Sequence, residues 1–408
     1  MKSRKCVNKG LSNLLKQLGL LALMPILISQ PVCYTYHYVV EPSNTCDLTF
    51  RDINDRGQVL MTAMEGDTFC YGKTLTYVFD YKTAKTKSIS NKHELVVGLD
   101  LNNSNQVVGY TAKETTDDYY AFRLFAQNGK FIKVFKPLSG LTKINEKGLA
   151  VGYRAQRRGR STYWVPFVNK PVNKKFVSYD VKRVLVNKND TGFAWIRDLN
   201  DNGVLAGEAL RAKSNGGRVF TSADRDYGLP VVWSNHKRDP RVLILPGFGV
   251  KPGSALKINN DGDILGFVLL SRDFTTEELA WVVWKKNGGI LELMIPADIE
   301  YEDLELKGLT EGGLVFANLT YPKSSDDEEE QTDAVLWDDS GNFFLLKNAL
   351  IADDFSSVER ISYVYDVSPR GFVLAEILQL PEDSDEETSD DEPELESYTV
   401  VLEPVSCD

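Results

Sequence analysis

Seven times along this chain a ten-residue stretch returns with one pattern. The copies are DINDRGQVLM (52–61), DLNNSNQVVG (100–109), KINEKGLAVG (143–152), DLNDNGVLAG (198–207), KINNDGDILG (257–266), GLTEGGLVFA (308–317) and DVSPRGFVLA (366–375). Their turn residues, Gly57, Asn105, Gly148, Gly203, Gly262, Gly313 and Gly371, lie 48, 43, 55, 59, 51 and 58 residues apart. A period near fifty residues is that of one four-stranded blade, so the spacing predicts an all-β, seven-bladed β-propeller.

Each position has a physical reason. Four residues before the turn residue stands Ile53, Leu101, Ile144, Leu199, Ile258, Leu309 or Val367, always apolar and branched. One position later come five asparagines, then Thr310 and Ser368, side chains that hydrogen-bond a turning backbone. The turn residue is Gly six times and Asn once, the types that best tolerate positive φ. Two adjacent apolar residues follow in every copy, such as Val59-Leu60 and Leu205-Ala206. Successive strand residues face opposite sides, so both sheet faces must be covered there. The next residue is Gly or Ala in six copies, which suits an inner strand crowded by neighbouring blades.

A polar loop of variable length separates each hairpin from a second apolar segment: LTYVF (75–79), YAFRLF (120–125), YWVPF (163–167), LPVVW (229–233), LAWVVW (279–284), AVLW (334–337) and YTVVL (398–402). A short turn and a last strand come next, as in FIKVF (131–135), RVLIL (241–245), ILELMI (290–295) and FFLL (343–346). Each repeat is therefore a meander of strands a, b, c and d, with tight a–b and c–d turns and roomy b–c and d–a connections. The repeats lie near 47–90, 95–138, 139–190, 193–247, 253–297, 304–350 and 361–408, as one domain over 33–408.

The seventh repeat lacks strand d, whereas YTYHYVVE (34–41) precedes the first strand a and belongs to no earlier repeat. Pairing this segment with SYTVVLE (397–403) closes the ring and removes exposed edges. Cys33 and Cys407 then meet where other blades have their c–d turn, which predicts a Cys33–Cys407 bridge and leaves Cys46–Cys70 within the first blade.

Four paired cysteines belong to an oxidising compartment, and the N-terminus agrees. Lys2, Arg4, Lys5, Lys9 and Lys16 are followed by LGLLALMPILI (18–28), an apolar run too short and too broken by Pro25 to span a membrane. Residues 1–32 read as a cleaved signal peptide of a secreted or periplasmic protein, with the cut falling within 29–33. QPVC lacks the small residues of a lipoprotein cleavage box. Loss of those five cations leaves 42 Lys and Arg against 58 Asp and Glu, a net charge of about −16. Such a chain repels nucleic acid and anionic membrane surfaces, and no later segment suits stable membrane insertion; a monomer is expected.

Tandem [IL]-N-x-x-G-x-[VIL]-[VIL]-G hairpins, each followed by an aromatic-rich strand behind a signal peptide, resemble the HAF family of extracellular repeats. The His-Ala-Phe tripeptide that names the family has its nearest match in Tyr120-Ala121-Phe122, and no copy carries the His. The resemblance covers nearly all of the mature chain. It implies an exported repeat protein with a propeller fold and brings no catalytic residues.

The hairpins invite a calcium reading that fails on count. A calcium loop wants oxygen ligands at positions one, three and five, Gly at six and Glu at twelve. Around Gly262, position one is Lys257 and position twelve is Val268; the best copy, from Asp198, has Ala209 at twelve. The polar residues are read as turn formers, with no metal site and no cofactor. Only His37, His93 and His236 exist, without a GxSxG elbow or an HExxH pair. The six tryptophans sit at strand spacing and read as core or blade-surface fillers. PGFGVKPGS (246–254) lacks a following helix and reads as a d–a connection.

The b–c loops differ most. DDEEE (326–330) and PEDSDEETSDDEPELE (381–396) are acidic, TTDDYY (115–120) and RDFTTEE (272–278) occupy the same slot, and repeat three has RAQRRGR (154–160). Arg154, Arg157, Arg158 and Arg160 could hold a carboxylate or sulfate group. The leading expectation is thus a non-enzymatic interaction module that binds a protein or glycan on its b–c/d–a loop face. The alternative is a secreted lyase or hydrolase working with carboxylates at the channel mouth, first among them Glu208 and Glu376 at the ends of strands b. A calcium-dependent adhesin is a third reading.

Overall fold

The computed structural model describes residues 32–407 except 44, 67–72, 90–94, 113–118, 126–129, 135–137, 159–160, 174, 185–193, 215, 223–226, 273–276, 323–330, 352–356 and 381–394. Seven sheets follow one another around a ring, each an a–b–c–d meander: a seven-bladed β-propeller. The N-terminal strand Cys33–Tyr38 is strand d of blade seven, paired antiparallel with Glu396–Val405 from Cys33↔Val405 to Tyr38↔Val400. Cys33 and Cys407 are disulfide-bonded, with Cα atoms 5.2 Å apart. Cys46 is likewise disulfide-bonded; Cys70, its expected partner, lies outside the described residues, as does the leader 1–31. Among the described residues no helix is long and apolar enough to cross a membrane.

The turn chemistry holds in every blade. All seven turn residues have positive φ, from 55° at Asn105 to 92° at Gly371. Each turn closes with the pair of bonds seen at blade five, where Asn259 N–H reaches Asp263 O at 3.1 Å and Gly262 N–H reaches Asn259 O at 3.1 Å. The paired apolar residues after the turn are buried in every copy. They feed seven apolar slabs, one between each pair of neighbouring blades, for example Val151, Val168, Ile196, Leu205 and Val231 between blades three and four.

Two expectations need correction. The small residue after the apolar pair is imposed from within its own blade, by strand a. A Cβ on Gly207 would stand 1.9 Å from Trp195 O, and one on Gly109 would stand 1.9 Å from Val97 O. A β-bulge lies at this level in every blade, as between Ile196 and Asp198, and it pushes the carbonyl towards strand b. The second correction concerns blade four. Its b–c connection adds a hairpin, Arg211–Lys213 with Val219–Thr221, whose Lys213 pairs parallel with Arg241, so this sheet has six strands.

Candidate functional site

Strands a line a central channel, and its a–b end is built from the repeat itself. The motif asparagine does two jobs. Asn200 Oδ1 accepts N–H bonds from Asn202 and Val204, both at 3.0 Å, which fixes its own turn. Its Nδ2 donates to Asn259 O of the next blade at 3.0 Å. The same donation runs from Asn54 to Asn102, Asn102 to Asn145, Asn145 to Asn200, and Asn259 to Thr310. Thr310 and Ser368 keep the acceptor for Leu314 and Phe372 N–H but have no amide to donate. There the ring is joined by Glu311 N–H to Pro369 O at 2.8 Å and Arg370 N–H to Asp55 Oδ1 at 2.8 Å.

Five residues before each turn residue stands the channel-facing position: Asp52, Asp100, Lys143, Asp198, Lys257, Gly308 and Asp366. The carboxylates reach the next blade: Asp52 accepts from Leu101 N–H at 2.6 Å, Asp100 from Ile144 N–H at 2.5 Å and Asp198 from Ile258 N–H at 2.8 Å. Lys143 meets Asp100 at 2.7 Å and Asp52 at 3.8 Å. Lys257 meets Asp366 at 3.1 Å, past blade six, where Gly308 offers no side chain and a Cβ would stand 2.4 Å from Val367 Cβ. Two lysines facing four carboxyls leave an excess of negative charge in this network. Burial, then Asp100, raises Asp52 well above the carboxylate range, and burial raises Asp198. Burial also works against the charge on Asp366, but Lys257, Lys143 and a hydrogen bond from Asp52 hold it down to about 2. For Lys143 burial opposes the charge too, and Asp100 and Asp52 outweigh it, keeping the ammonium well above the ordinary lysine value.

This network closes the channel beneath a polar cavity of about 110 Å³. The cavity rim carries Asp55, Glu146, Asp201 and Glu311. Glu146 accepts Asn103 N–H with both oxygens, at 2.9 and 3.0 Å, and burial raises it to about 7. Among the described residues no three His, Cys, Asp or Glu side chains are placed to hold a metal ion. Rim and network groups bond from blade to blade, as Glu146 does with Asn103 and Asp100 with Ile144.

The bulge residues Arg51, Leu99, Thr142, Arg197, Leu256, Lys307 and Tyr365 each stand one residue before the network position, on its b–c side. Glu208 is buried behind Arg197, whose Nη2 donates to Oε1 at 2.5 Å, while Gly228 N–H donates to Oε2 at 3.3 Å. Glu376 is half-buried and accepts from Ser362 Oγ at 3.0 Å and Tyr365 Oη at 2.9 Å. The two glutamates share a register position but sit in different blades, each on partners of its own. Arg154 is committed to Asp180 through Nη2, at 2.8 and 2.9 Å. Arg157 is exposed; Arg158 is described only by its backbone pairing with Ser161, and Arg160 lies outside the described residues. The acidic loops 326–330 and 381–396 lie outside them too, except residues 395 and 396. Trp233 and Trp337 are fully buried and donate to Lys182 O and Met294 O, whereas Trp164 is 48% exposed at the b–c end of blade three.

Sequence reasoning missed the charged network. Its signal was present: the residue before each [IL]-N pair reads D, D, K, D, K, G, D, both signs at one repeat position.

No family model and no curated protein matches this chain. Solved structures do. The chain is similar to one described as a structural and mechanistic analysis of two prolyl endopeptidases, with a TM-score of 0.50 and 11% identity over 90% of this chain and 50% of that one. It thus spans about half the length of that relative. It is also similar to an oligogalacturonate lyase in complex with manganese (TM-score 0.41, 11% identity, 92% of this chain and 97% of that one). A third is the polysaccharide lyase Uly1 (TM-score 0.43, 10% identity, 98% and 96%). At these identities the likeness is one of fold. Ring, turns and closure together define a seven-bladed β-propeller.

Proposed function

We propose that this chain is an exported, non-enzymatic binding module of the HAF repeat type, holding a protein or glycan on the face where the b–c and d–a connections gather. One observation carries the reading: four of the carboxyls that could do chemistry, Asp52, Asp100, Asp198 and Glu208, are committed to the scaffold. Asp52, Asp100 and Asp198 each accept a backbone N–H of the next blade. Glu208 is held by Arg197 and Gly228 N–H. A general acid or nucleophile must reach a ligand from a roomy site, and these groups are turned to the next blade's backbone or to Arg197. The a–b face repeats itself from blade to blade and is closed by ion pairs, whereas the b–c face changes in every blade. Disulfide bonding supports an oxidising compartment.

The face is tested by steric block. Thr162→Cys on the b–c side of blade three and Lys147→Cys on its a–b side are each capped with a bulky maleimide. Capture from panels of oligosaccharides and peptides should fall for the Thr162 adduct and persist for the Lys147 adduct. Loss only at Lys147 would place binding on the opposite face and overturn the reading.

A further inference from the structure

The channel wall at the b–c end carries one contiguous set of side chains that the turn motif does not require. It comes from strands a of blades six, seven and one and strand b of blade seven. Lys307 Nζ donates to Tyr363 Oη at 2.7 Å and pairs with Glu305 at 2.7 Å, and Tyr363 Oη donates to Glu305 Oε2 at 3.0 Å. The Tyr363 ring meets Tyr365 edge-on at 5.1 Å between centroids, and Tyr365 meets Phe50 at 4.9 Å. Tyr365 Oη and Ser362 Oγ then hold the two oxygens of Glu376. The three rings, Lys307 and Glu376 are half-buried, while Glu305 and the neighbouring bulge residue Arg51 are exposed. The opposite bulge positions are Thr142, Arg197 and Leu256; there strands a make a single ring contact among the described residues, Trp195 with Tyr153 at 4.4 Å between centroids.

Three properties of this wall select a ligand. Phe50 and Tyr365 pack on one side against the apolar slab between blades seven and one, and Lys307 Nζ lies 4.4 Å from the Tyr363 centroid. The half-buried rings leave part of their apolar surface for the C–H face of a six-membered sugar ring, with polar tips beside it. Glu305 and Glu376 each have oxygen lone pairs beyond those used by their partners, since a carboxylate has about four acceptor sites. These suit vicinal hydroxyl donors. The charges decide between neutral and ionic ligands: Lys307 and Arg51 balance Glu305 and Glu376, which gives no net pull on a polyanion. An apolar shelf with a few placed polar groups is ordinary for binding small hydroxylated molecules.

We infer that Phe50, Tyr363 and Tyr365, with Glu305, Lys307 and Glu376, form a subsite for a neutral pyranose unit of a glycan. The assignment rests on the binding-module reading and makes it specific.

Calorimetric titration of the full chain tests it, with cello-, laminari- and xylo-oligosaccharides as neutral probes and oligogalacturonate as the acidic one. At least one neutral probe should bind, with affinity reduced about tenfold or more by Tyr363→Ala and by Glu376→Gln. Lys147→Ala, on the exposed a–b turn of blade three, should bind like the wild-type chain. If Tyr363→Ala fails to fold, Tyr363→Phe keeps the ring, loses the hydroxyl and should still weaken binding measurably. Equal affinities for all wall variants, or tighter binding of oligogalacturonate, would overturn the subsite. Silence from every sugar would also overturn it, while the steric-block experiment with peptides would still decide whether the face binds.

Discussion

Replacing Asn200 separates the two jobs of the motif asparagine. Asn200→Ser keeps an oxygen for Val204 N–H, as Ser368 does for Phe372, leaves the exposed Asn202 N–H to water, and removes the Nδ2 bond to Asn259 O. That carbonyl still accepts Gly262 N–H at 3.1 Å, so it is not orphaned. The loss is then one net hydrogen bond, about 1 kcal/mol. Asn200→Ala also frees two turn amides, one of them on half-buried Val204, and should cost about 2–3 kcal/mol. Asn200→Asp keeps the acceptor and points an anion at a carbonyl, close to Asp198 and Asp201, so it should cost more than Ser. Urea unfolding with the disulfides intact measures the series, and the expected order is wild type, Ser, then Ala and Asp. A serine variant as stable as wild type, beside an alanine variant that loses the full amount, would refute the inter-blade role of the amide.

Three further outcomes follow from the same geometry. Gly207→Ala should lose about 1–3 kcal/mol in the same assay, because its Cβ meets Trp195 O, a backbone atom with little room to yield; an unchanged midpoint would remove the clash from the account. Removing the ring-closing bridge with Cys33→Ser and Cys407→Ser should lower stability by about 2–5 kcal/mol, since it spans 374 residues of sequence; a melt that matches the oxidised wild type would contradict this. Glu146 has its folded value raised to about 7 by burial, so its stabilising contribution is complete below about 4.5 and fades as pH rises through 7. Melting temperatures from pH 4.5 to 8 should therefore show Glu146→Gln gaining on wild type as pH rises, whereas a constant gap would exclude the effect.

The fold was legible because its rules are local. Gly57 through Gly371 announce seven turns, and the missing strand d of the last repeat calls for the N-terminal strand that fills it. What stayed hidden depends on partners far away in sequence. Asn200 reads as a turn former from its own neighbours, and its amide bond to Asn259 appears only when blades stand side by side. Lys257 looked like a failed calcium ligand and is half of an ion pair with Asp366, 109 residues away. Arg154 looked like an anion site until Asp180 occupied it. The b–c wall assembles Phe50, Lys307 and Tyr363 from three blades, and no short motif links them. Glu208 and Glu376 stand out in the sequence at the ends of strands b, but only the structure shows Arg197 and Tyr365 bonded to them.

The central claim is binding without chemistry at the b–c end of the channel. It is tested most directly by recovering, by mass spectrometry, an oligosaccharide held by the wild-type chain after prolonged incubation. The account predicts that the sugar returns with its mass unchanged and that no new reducing ends or unsaturated products form. Fragments that disappear with Glu376→Gln or Glu208→Gln would contradict it and make this propeller an enzyme.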